Sequence, residues 1–434
     1  MNPTRSEWRP IRTQRWFAVL AVLTLCVAGC GSEDTDSSTG SAANSTEDSA
    51  DTTDSDATET TTAASADAAG TSNEPTGEAS DALATYVLPA TGQTACYDLE
   101  DEIDCPDTGE DYYGQDANYV AGAEMSFEDN GDGTVTDLVT GLTWQQEPSS
   151  DTFTWDEAVD YANELELGGY DDWRVPNAKE LFATGNYGLG WPYLDTDYFS
   201  LASGEVSKDE QYWSSNYYVG VTVEGGEDSA FGIDHVTGHI KAYSANATGP
   251  VGGKYVRVVR GDEYGINDFV DNGDETITDE ATGLMWAQSD DGEGLDWVDA
   301  LAYAEASELA GYDDWRLPNV RELQSIVDYS RSPSATDSSA VGPAIDDLFS
   351  VTEITNEAGD SDYGYGWTST SADFTSGKPY YYAWYVAFGR AVDDSGADFH
   401  GAGAVRFDTK TEDGPDAEGG ERYYNYVRLV RDAS

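Results

Sequence analysis

Two stretches of the chain are near copies of each other at one fixed spacing. Phe127 to Gln146 reads FEDNGDGTVTDLVTGLTWQQ, and Phe269 to Gln288 reads FVDNGDETITDEATGLMWAQ. The register holds without a gap through GGYDDWRVPNAKEL (Gly168 to Leu181) and AGYDDWRLPNVREL (Ala310 to Leu323). Trp144 and Trp286, Trp155 and Trp297, Trp173 and Trp315, and Glu180 and Glu322 are all separated by about 142 residues, a period of domain size rather than solenoid size. The chain is therefore a tandem of one unit. Its function is either performed twice or divided between two differentiated copies.

Composition decides how much of the chain can fold. Aromatic residues make up 12% of the 434 residues, with 12 Trp and 28 Tyr, too many for a disordered chain. The formal net charge is -63, and the acidic residues run through both copies rather than forming a tail. Such a field repels nucleic acid, anionic lipid headgroups and sulfated polysaccharides. It suits cations, basic partners, or a solvated surface in a salty medium.

The N-terminus carries Arg5, Arg9, Arg12 and Arg15, then an apolar run from Trp16 to Val27, then Ala28-Gly29-Cys30. A basic start, an apolar stretch too short to span a bilayer and a small-residue cleavage site read as an export signal over 1–29. Val27-Ala28-Gly29-Cys30 resembles the lipobox of bacterial lipoproteins, which implies lipidation of Cys30 and contact with the membrane through the lipid alone. Gly31 after the cysteine resembles lipoproteins sorted to the outer membrane and the cell surface. In residues 30–85, those after Cys30 are almost all Ser, Thr, Asp, Ala, Glu and Gly, with no Lys, Arg or aromatic residue. They cannot offset their ordering entropy and read as a disordered, extended spacer. The remainder divides into a cysteine-containing lead-in (86–120), a first copy (121–262) and a second (263–434). Cys96 and Cys105 form an even pair in an exported chain, so a disulfide is expected.

Within each copy the pattern repeats. A turn at Asp129-Asn130-Gly131-Asp132-Gly133 precedes two short strands. Thr154 with Glu157 is a capping box, and Trp155, Ala158, Val159, Ala162 and Leu165 mark one face of a helix ending at Gly168-Gly169. Asn177 with Glu180, and Asn319 with Glu322, open a second helix. The copies then diverge over 183–211 and 328–365, and close on KYVRVVR and NYVRLVR strands. Strands, two helices, a long loop and antiparallel strands predict an α+β fold with a small antiparallel sheet in each copy.

The blocks DNGDGTVTD, TGLTW, GYDDWRVPN with its counterpart GYDDWRLPN, YWSS and the terminal YVRVVR and YVRLVR resemble the Lcl C-terminal domain family, named for the C-terminal part of the Legionella collagen-like protein. The resemblance covers nearly everything from about residue 88 to 431. It implies two tandem C-type-lectin-like modules and a role at the bacterial surface. A collagen-like Gly-X-Y stretch is missing from the sequence.

Several constellations invite chemistry. The DNGDG loop reads first as a hairpin turn, because Asn-Gly and Asp-Gly supply positive φ angles. Its second reading is a calcium site of Asp129, Asn130, Asp132 and Asp137, the one candidate cofactor. Arg174 and Arg316 are expected to pair with an Asp of their own block while Trp173 and Trp315 fill the core. His235 and His239 have a zinc-like spacing, but Thr237-Gly238 between them argues for a turn. With three His in the chain and no Cys within either copy, cysteine and multi-histidine catalysis lack their residues, and no enzyme is expected. Binding is expected instead in loops on a rigid scaffold, with Tyr380, Tyr382, Asp393 and Asp394 as the candidate ligand contacts. Trp384, Val386 and Phe388 read as core. The sequence therefore points to a non-enzymatic, lipid-anchored adhesin or recognition protein binding a glycan or protein. The alternative is a structural envelope lipoprotein that holds no small ligand.

Overall fold

In a computed structural model, residues 86–373, 379–392, 395–412 and 422–433 are described. The export signal, Cys30 and the spacer lie outside them, and the described residues belong to one compact unit. Among them no helix is long and apolar enough to cross a membrane.

Each copy begins with the same four-stranded antiparallel sheet. In the first copy its order is Phe127–Asp129, Thr134–Asp137, Thr143–Gln145 and Val259–Arg260; in the second it is Phe269–Asp271, Thr276–Asp279, Leu284–Ala287 and Val430–Asp432. The last strand of each copy thus returns to close the first hairpin. Trp144 lies opposite Val259, and Trp286 opposite Val430. The terminal YVR motifs add a second tie. Arg257, fully buried, donates to the carbonyls of Gln145, Gln146 and Ser200, and Arg428 donates to those of Ala287, Gln288 and Ser350. Each arginine pins the end of its divergent loop to the conserved sheet.

The capping boxes form as read from the sequence. Thr154 and Glu157 open the helix Trp155–Glu164; Asn177 and Glu180 open Ala178–Ala183; Asn319 and Glu322 open Val320–Ser325. Asp296 caps Trp297–Glu305 by accepting from the Asp299 N–H.

The expected α+β pair of lectin-like modules, each with two helices and a small sheet of its own, is overturned. The chain is mainly β: its α-helices are short, and its largest sheet belongs to both copies. That sheet has six strands. Gln211–Tyr218, Ser229–Asp234 and Ile240–Ser244 come from the first copy, and Tyr365–Ala372, Tyr382–Ala387 and Val405–Thr409 from the second. Ile240 pairs antiparallel with Val405 at the centre, so the strand order reads the same from either edge. The internal geometry is that of a two-fold dimer made within one chain.

Side-chain alternation along the strands separates two layers of core. Tyr382, Trp384, Val386 and Phe388 join Phe231, Ile233 and Ile240 in an inner core shared by both copies, with Leu181, Phe182, Leu323 and Ile326 of the short helices. Ala383, Tyr385 and Ala387 face outward under Trp297, Ala300, Leu301 and Ala304. Ala230 and Tyr243 face outward with Ala158 and Ala162. The inner core is thus common, and the outer one is divided.

The lead-in docks on the second copy although it precedes the first. The Gln93 amide bonds both the N–H and the carbonyl of Ser371. Tyr97 stacks on Tyr380 at 3.7 Å, and Lys410 donates to the Asp98 carbonyl. Asp116, fully buried, accepts from the hydroxyls of Thr91 and Thr370, and burial pushes its carboxyl up to about 6. The expected disulfide between Cys96 and Cys105 is present in this segment.

Candidate functional site

The outer face of the shared sheet is not covered evenly. The helix Trp155–Glu164 packs over strands of the first copy and Trp297–Glu305 over strands of the second. At the seam between them, strand alternation turns Asp234, Lys241 and Arg406 outward, while Ile233, Ile240, Val405 and Phe407 point into the inner core. A cavity of about 540 Å³ opens there. Besides those three residues it is lined by Lys208, Gln211, Thr237, His239 and Tyr243 of the first copy and by Phe399 and His400 of the second.

The sheet register shows why this cleft is not mirrored across the seam. Ile233 lies opposite Ile240 in the first copy, and Val386 opposite Val405 in the second. Asp234 therefore corresponds to Ala387, His239 to Ala404 and Lys241 to Arg406. The cation is present on both sides, whereas the carboxyl and the imidazole have alanine counterparts. The connections differ as well: 235–239 in the first copy is a tight turn, but 388–404 in the second is long. The turn needs Gly238, whose φ is +77°, because a Cβ there would lie 2.7 Å from the Tyr193 ring. The long connection crosses to the first copy. Tyr218 donates its hydroxyl to Asp398 at 2.9 Å, Val223 N–H donates to the Asp398 carbonyl, and Ala242 N–H donates to that of His400. These bonds bring Phe399 and His400 over the outward residues of the first copy.

The local field is positive in a chain whose net charge is -63. Burial first, then Arg406, Lys241 and Lys208, holds His239 well below the usual histidine range. His400 is lowered in the same way by burial, Arg406 and Lys241. Both rings are therefore neutral hydrogen-bonding groups at ordinary pH. His239 Nδ1 lies 2.7 Å from the Thr237 hydroxyl, and Lys241 Nζ lies 2.7 Å from Glu224. Asp234 Oδ1 accepts from the N–H groups of Val236 and Thr237, and burial pushes this carboxyl up to about 7. Asp234 Oδ2 and His400 Nδ1 are buried without a hydrogen-bond partner among the described residues. Phe399 is 38% exposed. Cationic donors, two unsatisfied polar atoms and an accessible ring suit the cleft to an anion-bearing ligand with an apolar face.

The residues singled out from the sequence fall elsewhere. Tyr382 is fully buried in the inner core and cannot meet a ligand, because its strand has core on both faces. Tyr380 is half-buried against Tyr97 of the lead-in. Asp393 and Asp394 lie outside the described residues. The four calcium candidates serve the hairpin itself. Asp129 accepts from Gly131 N–H, Asp132 from Thr134, and Asp137 from Val139 and Thr140, while Asn130 bonds Thr134 and Thr136. Among the described residues no group of three or more His, Cys, Asp or Glu is placed to hold a metal. His235 turns inward to Thr184 and the Leu181 carbonyl. Trp384, Val386 and Phe388 are core, as read. Arg174 and Arg316 pair not with an Asp of their block but with the capping-box glutamates Glu180 and Glu322, each through two bonds of 2.6 Å. The block's Asp172 and Asp314 hold Arg260 and Arg431 instead.

Lys208, Lys241, Phe399 and Arg406 were not legible as a site. The available signal was the rarity of cations, 21 Lys and Arg against 84 Asp and Glu, combined with the matching strand positions of Lys241 and Arg406. Other cavities recur in both copies at equivalent places, one beside Gln145 and Tyr161 and one beside Ala287 and Tyr303. The seam cleft draws on both copies at once.

No curated protein matches the chain. The Lcl C-terminal domain model matches residues 133–260 and again residues 275–431. These two matches span more than half of the sequence and the same repeated sheets and capped helices, so the chain belongs to the Lcl C-terminal domain family and carries that domain twice.

Proposed function

We propose that this chain is a surface-associated recognition protein without a catalytic step, whose two copies act as one head and hold a glycan or protein ligand at the seam. The observation that carries this reading is the gathering of Lys208, Lys241 and Arg406 around one cavity built from both copies, within an otherwise acidic chain. Membership of a surface-associated family supports it. The lipobox-like Val27-Ala28-Gly29-Cys30 and the acidic spacer support an anchored head held away from the membrane, whose anionic surface the head's own negative charge also repels.

Binding of the full chain to glycan and peptide arrays tests the reading, with wild type compared against a Lys241→Gln/Arg406→Gln double variant of unchanged melting temperature. Loss of both cations is expected to weaken array binding by about tenfold or more, the scale of a charge-assisted hydrogen bond. Undiminished binding by the double variant would place the ligand elsewhere.

A further inference from the structure

We infer that the group held in the seam cleft is a single carboxylate carried on a sugar ring, that is, a terminal acidic sugar rather than a run of sulfated or phosphorylated units. This inference rests on the cleft being the ligand site and adds the chemical class.

Three features of the cavity select that class. Its volume of about 540 Å³ suits one small ligand and its immediate neighbour. Phe399 is exposed at its rim, and an aromatic ring is a stacking surface for the apolar face of a pyranose. Arg406, Lys241 and Lys208 supply cationic donors beside it, and a guanidinium matches a carboxylate in geometry.

The unsatisfied atoms narrow the choice further. Asp234 Oδ2 is a buried oxygen awaiting a partner, and His400 Nδ1 is a buried ring nitrogen in the same state. A fully ionised sulfate only accepts hydrogen bonds, so it can serve Asp234 only below about pH 7, while that carboxyl holds its proton, and offers nothing to it above. A sugar acid accepts through its carboxylate and donates through its hydroxyls, which answers both kinds of atom.

Net charge limits the ligand to one negative group. The chain's charge is -63, and at physiological salt fields reach only about 8 Å, roughly one sugar unit. A charge inside the cleft meets the local cations. The next charge along a polyanion lies outside and meets the acidic surface.

Titration calorimetry on the full chain tests the class with methyl glucuronoside, methyl glucoside, inorganic sulfate and a sulfated polysaccharide. The glucuronoside is expected to bind about tenfold or more tightly than the glucoside. The sulfated polymer should show no avidity over inorganic sulfate. Phe399→Ala and Arg406→Gln should each reduce glucuronoside binding several-fold at unchanged melting temperature. Equal binding of glucoside and glucuronoside, or preference for the sulfated polymer, would overturn the acidic-sugar class. If array ligands still depend on Arg406 in that case, the recognition site itself stands; if they do not, the site falls with the class.

Discussion

Arg174–Glu180 in the first copy and Arg316–Glu322 in the second are the same ion pair, with the same fork geometry and the same 2.6 Å bonds, yet they live in different surroundings. The Arg174 side chain is 33% exposed, and that of Arg316 is 7% exposed. The difference comes from what lies on top. In the second copy the lead-in and its junction with the first copy cover the pair: the Tyr119 ring sits 5.7 Å from the Arg316 guanidinium, and Asn319 donates to the Ala121 carbonyl. In the first copy the connection between copies takes that place, with Asn177 donating to the Tyr264 carbonyl and Tyr264 N–H donating to Glu180. Glu180 thus has backbone donors from both Asn177 and Tyr264, whereas Glu322 has the Asn319 N–H and leans more heavily on its arginine. Duplication copied the pair, and the covering segments set its energetic weight.

Breaking the pair in each copy measures that weight directly. Arg316→Met is expected to cost about 3–5 kcal/mol, because it strands a buried carboxylate. Arg174→Met should cost roughly 1–2 kcal/mol, since the backbone N–H groups of Asn177 and Tyr264 still serve the buried Glu180 carboxylate. Urea unfolding of the two variants reads the difference, and equal losses would show that the covering segments do not matter. A second intervention acts on the cover itself. Replacing Cys96 and Cys105 by Ser opens the loop that docks Tyr97 onto Tyr380, with an expected loss of roughly 2–3 kcal/mol. Hydrogen exchange should then quicken around Tyr380 and Arg316 while the Arg174 region keeps its protection; uniform quickening would mean that the lead-in braces both copies alike.

The smallest expected effect concerns the seam. Asp234 has a raised carboxyl, at about 7, whereas its counterpart in register is Ala387, which does not titrate. Burial is the main cause, the N–H groups of Thr237 and Val236 oppose it, and Glu210 adds to it; Lys254 and the His239 carbonyl are its other near neighbours. Below pH 7 the carboxyl is mostly protonated, and above it a negative charge appears beside the cations. Binding of an anionic ligand should therefore weaken as pH rises from 6 to 8, by about fivefold. Asp234→Asn should flatten this profile in calorimetry, and an unchanged slope would assign the titration to another group.

A second asymmetry shows how far the sequence could be read. Positions 179 and 321 align in the repeat, but one is Lys and the other Arg. Arg321, fully buried, reaches across to the Ala183 and Gly185 carbonyls at the end of the first copy's short helix. Lys179 instead turns to the Gly265 carbonyl and Asn267, and a cavity of about 350 Å³ remains beside it, walled by Ile326, Val327 and Tyr329. The substitution was visible in the alignment of the copies. Its consequence was not, because nothing in the sequence places the two helices against each other. The reading of Tyr382 as a ligand contact failed for a related reason. Strand alternation assigns faces but does not tell that both faces of a strand are buried.

Local chemistry determined much of this protein from sequence alone. The fixed repeat, the capping boxes at Thr154, Asn177 and Asn319, the turn at Gly238 and the Cys96–Cys105 pairing depend on residues close in the chain, whose geometry is set by φ angles and short hydrogen bonds. The merging of two sheets into one, the lead-in's attachment to the second copy and the cationic cleft were decided by tertiary structure. Each joins residues more than a hundred positions apart, such as Ile240 with Val405 and Gln93 with Ser371. Backbone edges pair through groups that every residue carries, so the choice of partner strand leaves little trace in side-chain pattern.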